Sequence, residues 1–312
     1  MATSITPPRA SIDELTHSLL ASYRAIGGIN HVDGKSLPSK AAIGGVIQSI
    51  LRLLFPGFLG DHVVRSGELE VETRALLASV QSQLEREIRH SFEYAPPDGA
   101  TREDLGRLAE DVTAATLAEL SRVRELLQTD AEAAFAGDPA ALSTDEIIVA
   151  YPFIEAIAVQ RFAHELYRRG VPLIPRIMTE WAHARTGLDI HPGAEIGSHF
   201  FVDHCTGTVI GETAVIGNHV KMYQGVGLVA RSLSGGQALR GKKRHPTIGD
   251  RVTIYANATI VGGETVVGSG STIGASVFLM QSIPPDSLVV YEPSGIRMMS
   301  KVRTEAMLDF QI

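Results

Sequence analysis

Aliphatic residues recur every six positions between Asp189 and Ser287, and glycine often follows them. This period fits neither an α-helix, which repeats every 3.6 residues, nor the two-residue alternation of a strand. It is typical of the hexapeptide repeats of a parallel β-helix, in which each triangular coil points one aliphatic side chain inward per face. An ordinary β-domain with many turns is the alternative, but it would not need the same period in three registers. The aliphatic positions are Ile190, Ile196, Val202, Ile210, Ile216, Met222, Leu228, Ile248, Ile254, Ile260, Val266, Val267, Ile273 and Leu279.

The residues before Thr186 show helical spacing instead, and proline and glycine clusters separate the segments. We therefore predict an α+β protein, in which an all-α N-terminal domain is followed by a left-handed parallel β-helix of hexapeptide repeats. The predicted helices cover residues 11–25, 40–54, 67–94, 102–135, 144–167 and 172–185. The predicted domains are a helical domain at 1–185, a catalytic β-helix at 186–290 and a C-terminal tail at 291–312.

The repeat is interrupted at residues 230–246 by a polar, glycine-rich and strongly basic stretch. It is too long for one corner of a coil, so we predict a loop that projects outward. Composition alone is consistent with a solvated surface loop and with a binding loop, since insertions in repeat folds are often binding elements.

Composition narrows the classes of function. The net charge of −7 argues against a nucleic-acid-binding protein. The single cysteine, Cys205, excludes an internal disulfide framework and favours a reducing compartment such as the cytoplasm. The most apolar window, residues 41–59, contains Arg52 and two glycine or proline breaks, so we interpret it as a buried helix rather than a membrane span. A peripheral membrane helix is the less favoured alternative.

An acidic residue and a histidine at the start of the β-helix could form a general-base pair. Asp189 and His204 are fifteen residues apart, which places them close together on successive coils of about eighteen residues. A carboxylate on one imidazole nitrogen fixes the tautomer, so the other nitrogen can take a proton from a hydroxyl group. A purely structural hydrogen bond is the alternative for such a pair.

Two further features complete the candidate site. Arg244 offers a planar fork for a carboxylate, and His245 could donate a hydrogen bond to the same group. Small residues around Ala256 and Gly274 could leave a groove for a pantetheine arm, although the fold needs small residues at its corners in any case.

The chain resembles the serine O-acetyltransferase family of cysteine biosynthesis, in its longer bacterial form. The resemblance covers about residues 138–288. It rests on Asp189-Ile190-His191-Pro192, on Asp203-His204-x-Thr206-Gly207, on the run from Val209 to Gly217 and on Arg244-His245-Pro246-x-Ile248. Other hexapeptide acetyltransferases share the period of six but not this set of motifs.

The resemblance implies transfer of an acetyl group from acetyl-CoA to the hydroxyl of L-serine, with no metal. By the same resemblance His204 is the general base and Asp189 its partner, while Asp203, Arg244 and His245 hold serine. Ala256 and Gly274 line the acetyl-CoA groove. Family members are trimers of β-helices, usually paired into hexamers through the helical domain, which also contributes to the acceptor site. Cysteine commonly inhibits them, and a C-terminal isoleucine, here Ile312, inserts into O-acetylserine sulfhydrylase.

The sequence departs from the family pattern near the acyl and acceptor sites. The strip beside the acetyl group is usually Thr-Leu-Gly-Gly or Thr-Leu-Gly-Ala, whereas here it runs from Gly227 through Val229 to Ala230. The family's acceptor-binding aspartate aligns with Leu142, and Asp145 is a candidate replacement. Another hydroxy amino acid, such as homoserine, and a non-catalytic partner of the sulfhydrylase are therefore the alternative functions.

Overall fold

The computed structural model describes residues 10–60, 63–232 and 234–290. Contacts divide the chain into two compact units, one that ends at Ser36 and one that begins at Leu37. The predicted boundary at residue 185 falls inside the second unit, so the domain limits stay a prediction. The predictions that concern the tail at 291–312, including Ile312, lie outside the described residues.

The first unit contains one helix, α1 (Ile12–Ala25), within its described residues. The predicted capping box is present, because Glu14 N–H donates to Ser11 Oγ at 3.2 Å and Ser11 N–H donates to Glu14 Oε2 at 2.8 Å. Asn30 closes the other end of the helix by donating from its amide to the carbonyl of Tyr23 at 2.7 Å.

The helices of the second unit are α2 (Lys40–Leu54), α3 (Leu69–Tyr94), α4 (Arg102–Ala118), α5 (Leu120–Gly137), α6 (Thr144–Ala150), α7 (Pro152–Arg168) and α8 (Ile174–Thr186). Two of the predicted helices are each split in the structure. Residues 102–135 form α4 and α5, which meet at Glu119, because α4 packs on α3 whereas α5 packs on α7. Residues 144–167 form α6 and α7, which are bent by 76°, because Pro152 lacks an N–H donor and starts a new helix.

The helical core is centred on α7, most of which is buried against α5 and α8. In the described ranges, no single helix has both the length and the apolar character needed to cross a membrane. The bent pair α6 and α7 meets that test of length and composition only when both helices are counted together.

The second half of the chain is a left-handed parallel β-helix, as predicted. Its short strands are β1 (Asp189–Ile190), β2 (Glu195–Ile196), β3 (Phe201–Val202), β4 (Val209–Ile210), β5 (Val215–Ile216), β6 (Lys221–Met222), β7 (Gly227–Val229), β8 (Thr247–Ile248), β9 (Thr253–Ile254), β10 (Thr259–Val261), β11 (Val266–Val267), β12 (Thr272–Ile273), β13 (Phe278–Leu279) and β14 (Leu288–Val289). They stack into three parallel sheets: sheet A contains β1, β4, β7, β10 and β13, sheet B contains β2, β5, β8 and β11, and sheet C contains β3, β6, β9, β12 and β14.

The residues spaced by six fill the interior of the coils, with one correction. Val267 is fully buried, whereas the side chain of Val266 points outward and is 44% exposed. The step of one in the period therefore falls before Val266, where the three-residue strand β10 and the pair Gly262-Gly263 lengthen the chain. A buried aliphatic is needed once per face, and only one of the two adjacent valines can supply it.

Coil length changes at the two places that carry candidate chemistry. Asp189 pairs with Val209, twenty residues later, whereas Val209 pairs with Gly227, eighteen residues later. The two extra residues lie in the turn between β3 and β4, which contains His204. The loop predicted at 230–246 lies between β7 and β8 and includes a 3₁₀ helix at Gly236–Leu239.

A buried ion pair fastens the helices to the first coil. Arg161 in α7 donates from Nε to Asp130 Oδ2 at 2.7 Å and from Nη2 to Asp130 Oδ1 at 2.8 Å. The same guanidinium donates to the carbonyl of Gly197 at 2.7 Å, and Asp130 accepts from the N–H of Phe200 at 3.0 Å. This buried, hydrogen-bonded ion pair thus connects α5 and α7 to the first coil.

Candidate active site

His204 lies in the turn that connects sheet C to sheet A, and we call the row of such turns the C–A edge. His204 and Cys205 both have positive φ angles, 60° and 56°, which non-glycine residues seldom adopt. The imidazole of His204 is 69% exposed, and its Nδ1 lies 3.5 Å from Asp203 Oδ1. The turn thus projects an accessible imidazole outward with a carboxylate close to one nitrogen. Asn257 and Ser276, in other turns of the same edge, have similar positive φ angles, so this backbone conformation belongs to the fold.

Cys205 follows His204 but is not a candidate nucleophile. Its side chain is buried, and burial raises the pKa of its thiol to about 12. The thiolate needed for nucleophilic attack is therefore negligible at neutral pH.

Asp189, the predicted partner of His204, points outward from β1 beside the same edge. Its N–H donates to the carbonyl of Thr208 at 3.0 Å, and its Oδ1 lies 3.6 Å from Arg176 Nη1. In the described part of the chain, no hydrogen bond or ion pair joins the side chains of Asp189 and His204. The pair therefore stays a prediction, and Asp203 is the carboxylate that contacts the imidazole in this structure.

The surroundings of Asp189 also resemble a metal site, because ligand atoms of Glu180, His183 and Asp189 lie within 4.8 Å of one another. However, the guanidinium of Arg176 contacts Glu180 at 2.5 Å as well as Asp189. We therefore describe this group as an ion-pair network and assign it no metal.

Asp138 is a second carboxylate near His204, and sequence analysis did not select it. Tyr151 donates to Asp138 Oδ2 at 2.5 Å, and this hydrogen bond raises the pKa of Tyr151 to about 12. The pKa of Asp138 is lowered, first by the bond from Tyr151 and then by the N–H of Ala140, with smaller contributions from the charges of His204 and Lys221. The run Asp138-Pro139-Ala140 can be read from the sequence, but the contact between Asp138 and Tyr151 cannot.

Asp145, the predicted replacement, lies in the first turn of α6. It is exposed and its side chain makes no hydrogen bond or ion pair with the described residues. Leu142, at the aligned position, is 86% exposed. The charge of His204 thus helps to lower the pKa of Asp138, whereas the side chain of Asp145 makes no hydrogen bond or ion pair with the described residues.

Arg244 and His245 lie at a different edge, where sheet A turns into sheet B, which we call the A–B edge. Arg244 donates from Nη2 to Glu212, and Tyr167 in α7 donates to the other oxygen of Glu212 at 2.7 Å. Burial would raise the pKa of Glu212, but the bonds from Tyr167 and Arg244 outweigh it and lower that pKa. Burial and the bond to Glu212 raise the pKa of Tyr167 to about 12.

His245 is a buried, neutral hydrogen-bond donor. Its Nδ1 accepts a hydrogen bond from the N–H of Thr213 at 3.1 Å, so the proton of the neutral ring is on Nε2. Burial, followed by the charge of Arg244, lowers the pKa of His245 to about 4. At neutral pH this residue can therefore donate a hydrogen bond but cannot serve as the charged partner of a carboxylate.

The residues predicted to contact acetyl-CoA divide between the same two edges. Ala256 and Gly274 follow β9 and β12, so they lie at the C–A edge, which also carries His204. Gly227 is in β7 on the outer face of sheet A, and Ala230 follows that strand at the A–B edge.

The two departures in the strip from Gly227 to Ala230 are coupled in space. A β-carbon on Gly227 would lie 3.4 Å from Val229 Cγ1 and 3.5 Å from Thr259 Cγ2. Both distances are ordinary van der Waals contacts, so the Val229 side chain lies directly beside the position that a side chain at 227 would occupy.

These features define a class of protein. A left-handed β-helix that carries an accessible histidine at one edge and a prearranged arginine–histidine pair at another is a hexapeptide-repeat acyltransferase.

Comparison with known proteins narrows the class. The chain is 41% identical over 295 residues to a plasmid-encoded serine acetyltransferase of Synechococcus elongatus. The alignment covers 90% of this chain and 87% of that protein. It is similar to the structure of serine acetyltransferase isoform 3 of Entamoeba histolytica in complex with cysteine, with 33% identity and a TM-score of 0.71. That match covers 92% of this chain and 94% of the Entamoeba chain. It is also similar to the structure of the Neisseria gonorrhoeae serine acetyltransferase in complex with serine, with 25% identity and a TM-score of 0.52. That match covers 81% of this chain and 95% of the Neisseria chain. No protein-family profile matches the chain. The chain belongs to the serine acetyltransferase family.

Proposed function

We propose that this protein transfers the acetyl group of acetyl-CoA to the hydroxyl of L-serine and releases O-acetyl-L-serine and CoA. The observation that carries the proposal is the exposed imidazole of His204, with the carboxylate of Asp203 beside its Nδ1. The similarity to a serine acetyltransferase in complex with serine favours serine over homoserine as the acceptor.

His204 is the general base of this reaction. Asp203 faces Nδ1, so Nε2 is available to take the proton of the serine hydroxyl as its oxygen attacks the thioester carbonyl. The new C–O bond gives a tetrahedral oxyanion, whose collapse breaks the C–S bond. The protonated imidazole then returns the proton to the departing thiolate. If the His204 side chain turned towards β1, the carboxylate of Asp189 would accept the hydrogen bond from Nδ1 in place of Asp203.

Arg244 and His245 bind the serine carboxylate. A guanidinium and an Nε2–H group are both donors, and a carboxylate accepts from both. Asp203, which is next to His204 in the chain, contacts the same bound serine. Asp138 and Asp145 are the candidates for its ammonium group.

Within one chain, the general base and the carboxylate-binding pair lie at different edges of the β-helix, because His204 lies at the C–A edge and Arg244 at the A–B edge. We therefore assign each complete site to two neighbouring β-helices in a homotrimer, paired through the helical segments into a hexamer. Acetyl-CoA lies along Ala256 and Gly274, with Gly227 and Ala230 beside the acetyl group.

The wider context follows from the family. The reaction supplies the activated serine for cysteine synthesis in the cytoplasm, and Ile312 is the contact to the sulfhydrylase. The Entamoeba relative has been solved with cysteine, which suits inhibition by cysteine at the serine site.

The test is acetyl-CoA consumption with L-serine and with L-homoserine. Turnover with L-homoserine but not with L-serine would overturn the proposed acceptor. We expect His204→Ala to abolish turnover while light scattering shows the wild-type oligomer. Normal turnover by His204→Ala would contradict the mechanism.

A further inference from the structure

The tripeptide Gly-Glu-Thr occurs twice along the A–B edge, at 211–213 and at 263–265. The two copies follow β4 and β10 of sheet A, so they occupy equivalent corners of two coils. Glu264 is exposed and its side chain makes no hydrogen bond or ion pair with the described residues. Thr265 donates locally, to the carbonyl of Val261 at 2.7 Å. Only the first copy reaches the candidate acceptor site.

Glu212 fixes the guanidinium of Arg244 to helix α7. One carboxylate oxygen accepts from Arg244 Nη2, and the other accepts from the hydroxyl of Tyr167 at 2.7 Å. The side chains of Arg244 and Glu212 are only 21% and 18% exposed, which strengthens the hydrogen bond between these charged groups, whereas Tyr167 is exposed. Glu212 uses only the Nη2 end of the guanidinium, so Nε remains available to a ligand.

Thr213 fixes the backbone and the ring of the next coil. Its Oγ1 accepts from the N–H of Arg244 at 2.9 Å and from the N–H of His245 at 3.1 Å. The same hydroxyl lies 3.0 Å from His245 Nδ1, to which it donates its own proton. Its carbonyl accepts from Lys243 Nζ at 2.6 Å. Three consecutive residues at the end of the loop are thus tied to one threonine.

These contacts order a segment that no strand pairing holds. The residues concerned lie between the 3₁₀ helix, which ends at Leu239, and β8, which begins at Thr247. From the other side, the segment is confined by Gly263, where a β-carbon would lie 2.7 Å from Arg244 Cα.

We infer that Glu212 and Thr213 are positioning residues, which present Arg244 and the Nε2–H of His245 as a preformed pair of donors for the acceptor's carboxylate. This inference rests on the proposed function. It assigns no chemistry to Glu212 or Thr213, which act only through the two residues they hold.

The test measures kcat and KM for L-serine and for L-serinamide, which keeps the hydroxyl and the ammonium group but lacks the carboxylate. We expect Glu212→Gln and Thr213→Val each to raise the KM for L-serine roughly tenfold, the size of one lost hydrogen bond to a charged group. The kcat should stay within about twofold, and the preference for L-serine over L-serinamide should fall by the same factor.

Matched variants separate positioning from stability. Thr213→Ser keeps the hydroxyl and should restore the KM for L-serine. Glu264→Gln and Thr265→Val make the same exchanges in the second copy and should leave both kinetic constants unchanged. If a variant lowers Tm, kinetic constants are taken well below its unfolding transition, and KM for acetyl-CoA reports whether the remaining fold is intact.

The possible failures are distinct. Absence of turnover by the wild-type protein with L-serine would overturn the proposed function and this inference with it. Wild-type turnover combined with an unchanged L-serine to L-serinamide preference in Glu212→Gln and Thr213→Val would overturn the inference alone. A loss of Tm without a change in that preference would show that Glu212 and Thr213 are merely structural.

Discussion

The imidazole of His245 lies directly over Gly211 of the preceding coil, with no space between them for a β-carbon. A β-carbon at Gly211 would overlap Cδ2 and Nε2 of the ring and would lie 2.7 Å from its Cγ. Gly211 does not have a positive φ angle, so alanine can adopt the backbone conformation there. We expect Gly211→Ala to displace the ring and to raise the KM for L-serine at least about tenfold.

A glycine with open space around it provides the control. Gly106 lies inside α4, and a β-carbon added there would meet no neighbouring side chain within 4 Å. Gly106→Ala should leave KM unchanged and stabilise the protein by about 0.5–1 kcal/mol through helix propensity. A wild-type KM in Gly211→Ala would show that the ring of His245 is free to move without loss of binding.

The low pKa of His245 should make the protein less stable in mild acid. The folded-state pKa is about 4, below the ordinary histidine value of 6.5. Between these values the unfolded chain binds the proton more readily, so this contribution to stability is complete above pH 6.5 and is lost as the pH falls towards 4. The loss attributable to His245 is up to about 3 kcal/mol.

Urea unfolding at pH 7 and at pH 4.5 measures this effect. Other groups titrate over the same range, so the relevant quantity is the difference between the wild type and His245→Asn, which stays neutral throughout. Equal pH dependence in the two proteins would contradict the assignment of a neutral, buried His245.

The interior of the β-helix was predictable because its period depends on local sequence alone. Each face of a coil requires one aliphatic side chain that points inward, and these side chains recur at regular intervals in the sequence. The predicted register was wrong at Val266 because two valines are adjacent there. Only the packing of β10 decides which of them points inward. The break at Pro152 could have been predicted from the missing N–H, whereas the break at Glu119 depends on which helices α4 and α5 pack against.

The candidate site was predictable only where a motif is contiguous. His204 and Arg244 belong to short motifs that can be found without the fold. Tyr167 contacts Glu212 across 45 residues, and Tyr151 contacts Asp138 across 13. Such contacts depend on how α6 and α7 dock on the first coils, and one sequence contains no local signal for that docking.

The ion pair between Arg161 and Asp130 should be essential for stability. Both side chains are almost fully buried, at 4% and 0% exposure, so loss of one partner leaves an unpaired charge in the interior. We expect Asp130→Asn or Arg161→Met to destabilise the protein by about 3–5 kcal/mol in urea unfolding.

The exposed pair Arg74–Glu70 is the matched control, since its side chains are 80% and 84% exposed. Glu70→Gln should change stability by less than about 1 kcal/mol. A loss in Asp130→Asn no larger than that of Glu70→Gln would show that water or other groups compensate for the buried charge.

Asp138 is expected to hold the ammonium group of the acceptor, because it is a carboxylate outside the β-helix whose pKa is lowered in part by the charge of His204. Asp138→Asn should therefore raise the KM for L-serine roughly tenfold. Tyr151→Phe, which removes the hydroxyl that holds Asp138 at 2.5 Å, should cause a smaller rise of the same kind. Asp145→Asn tests the competing candidate in the same assay. A larger rise in KM for Asp145→Asn than for Asp138→Asn would assign the ammonium group to α6 instead.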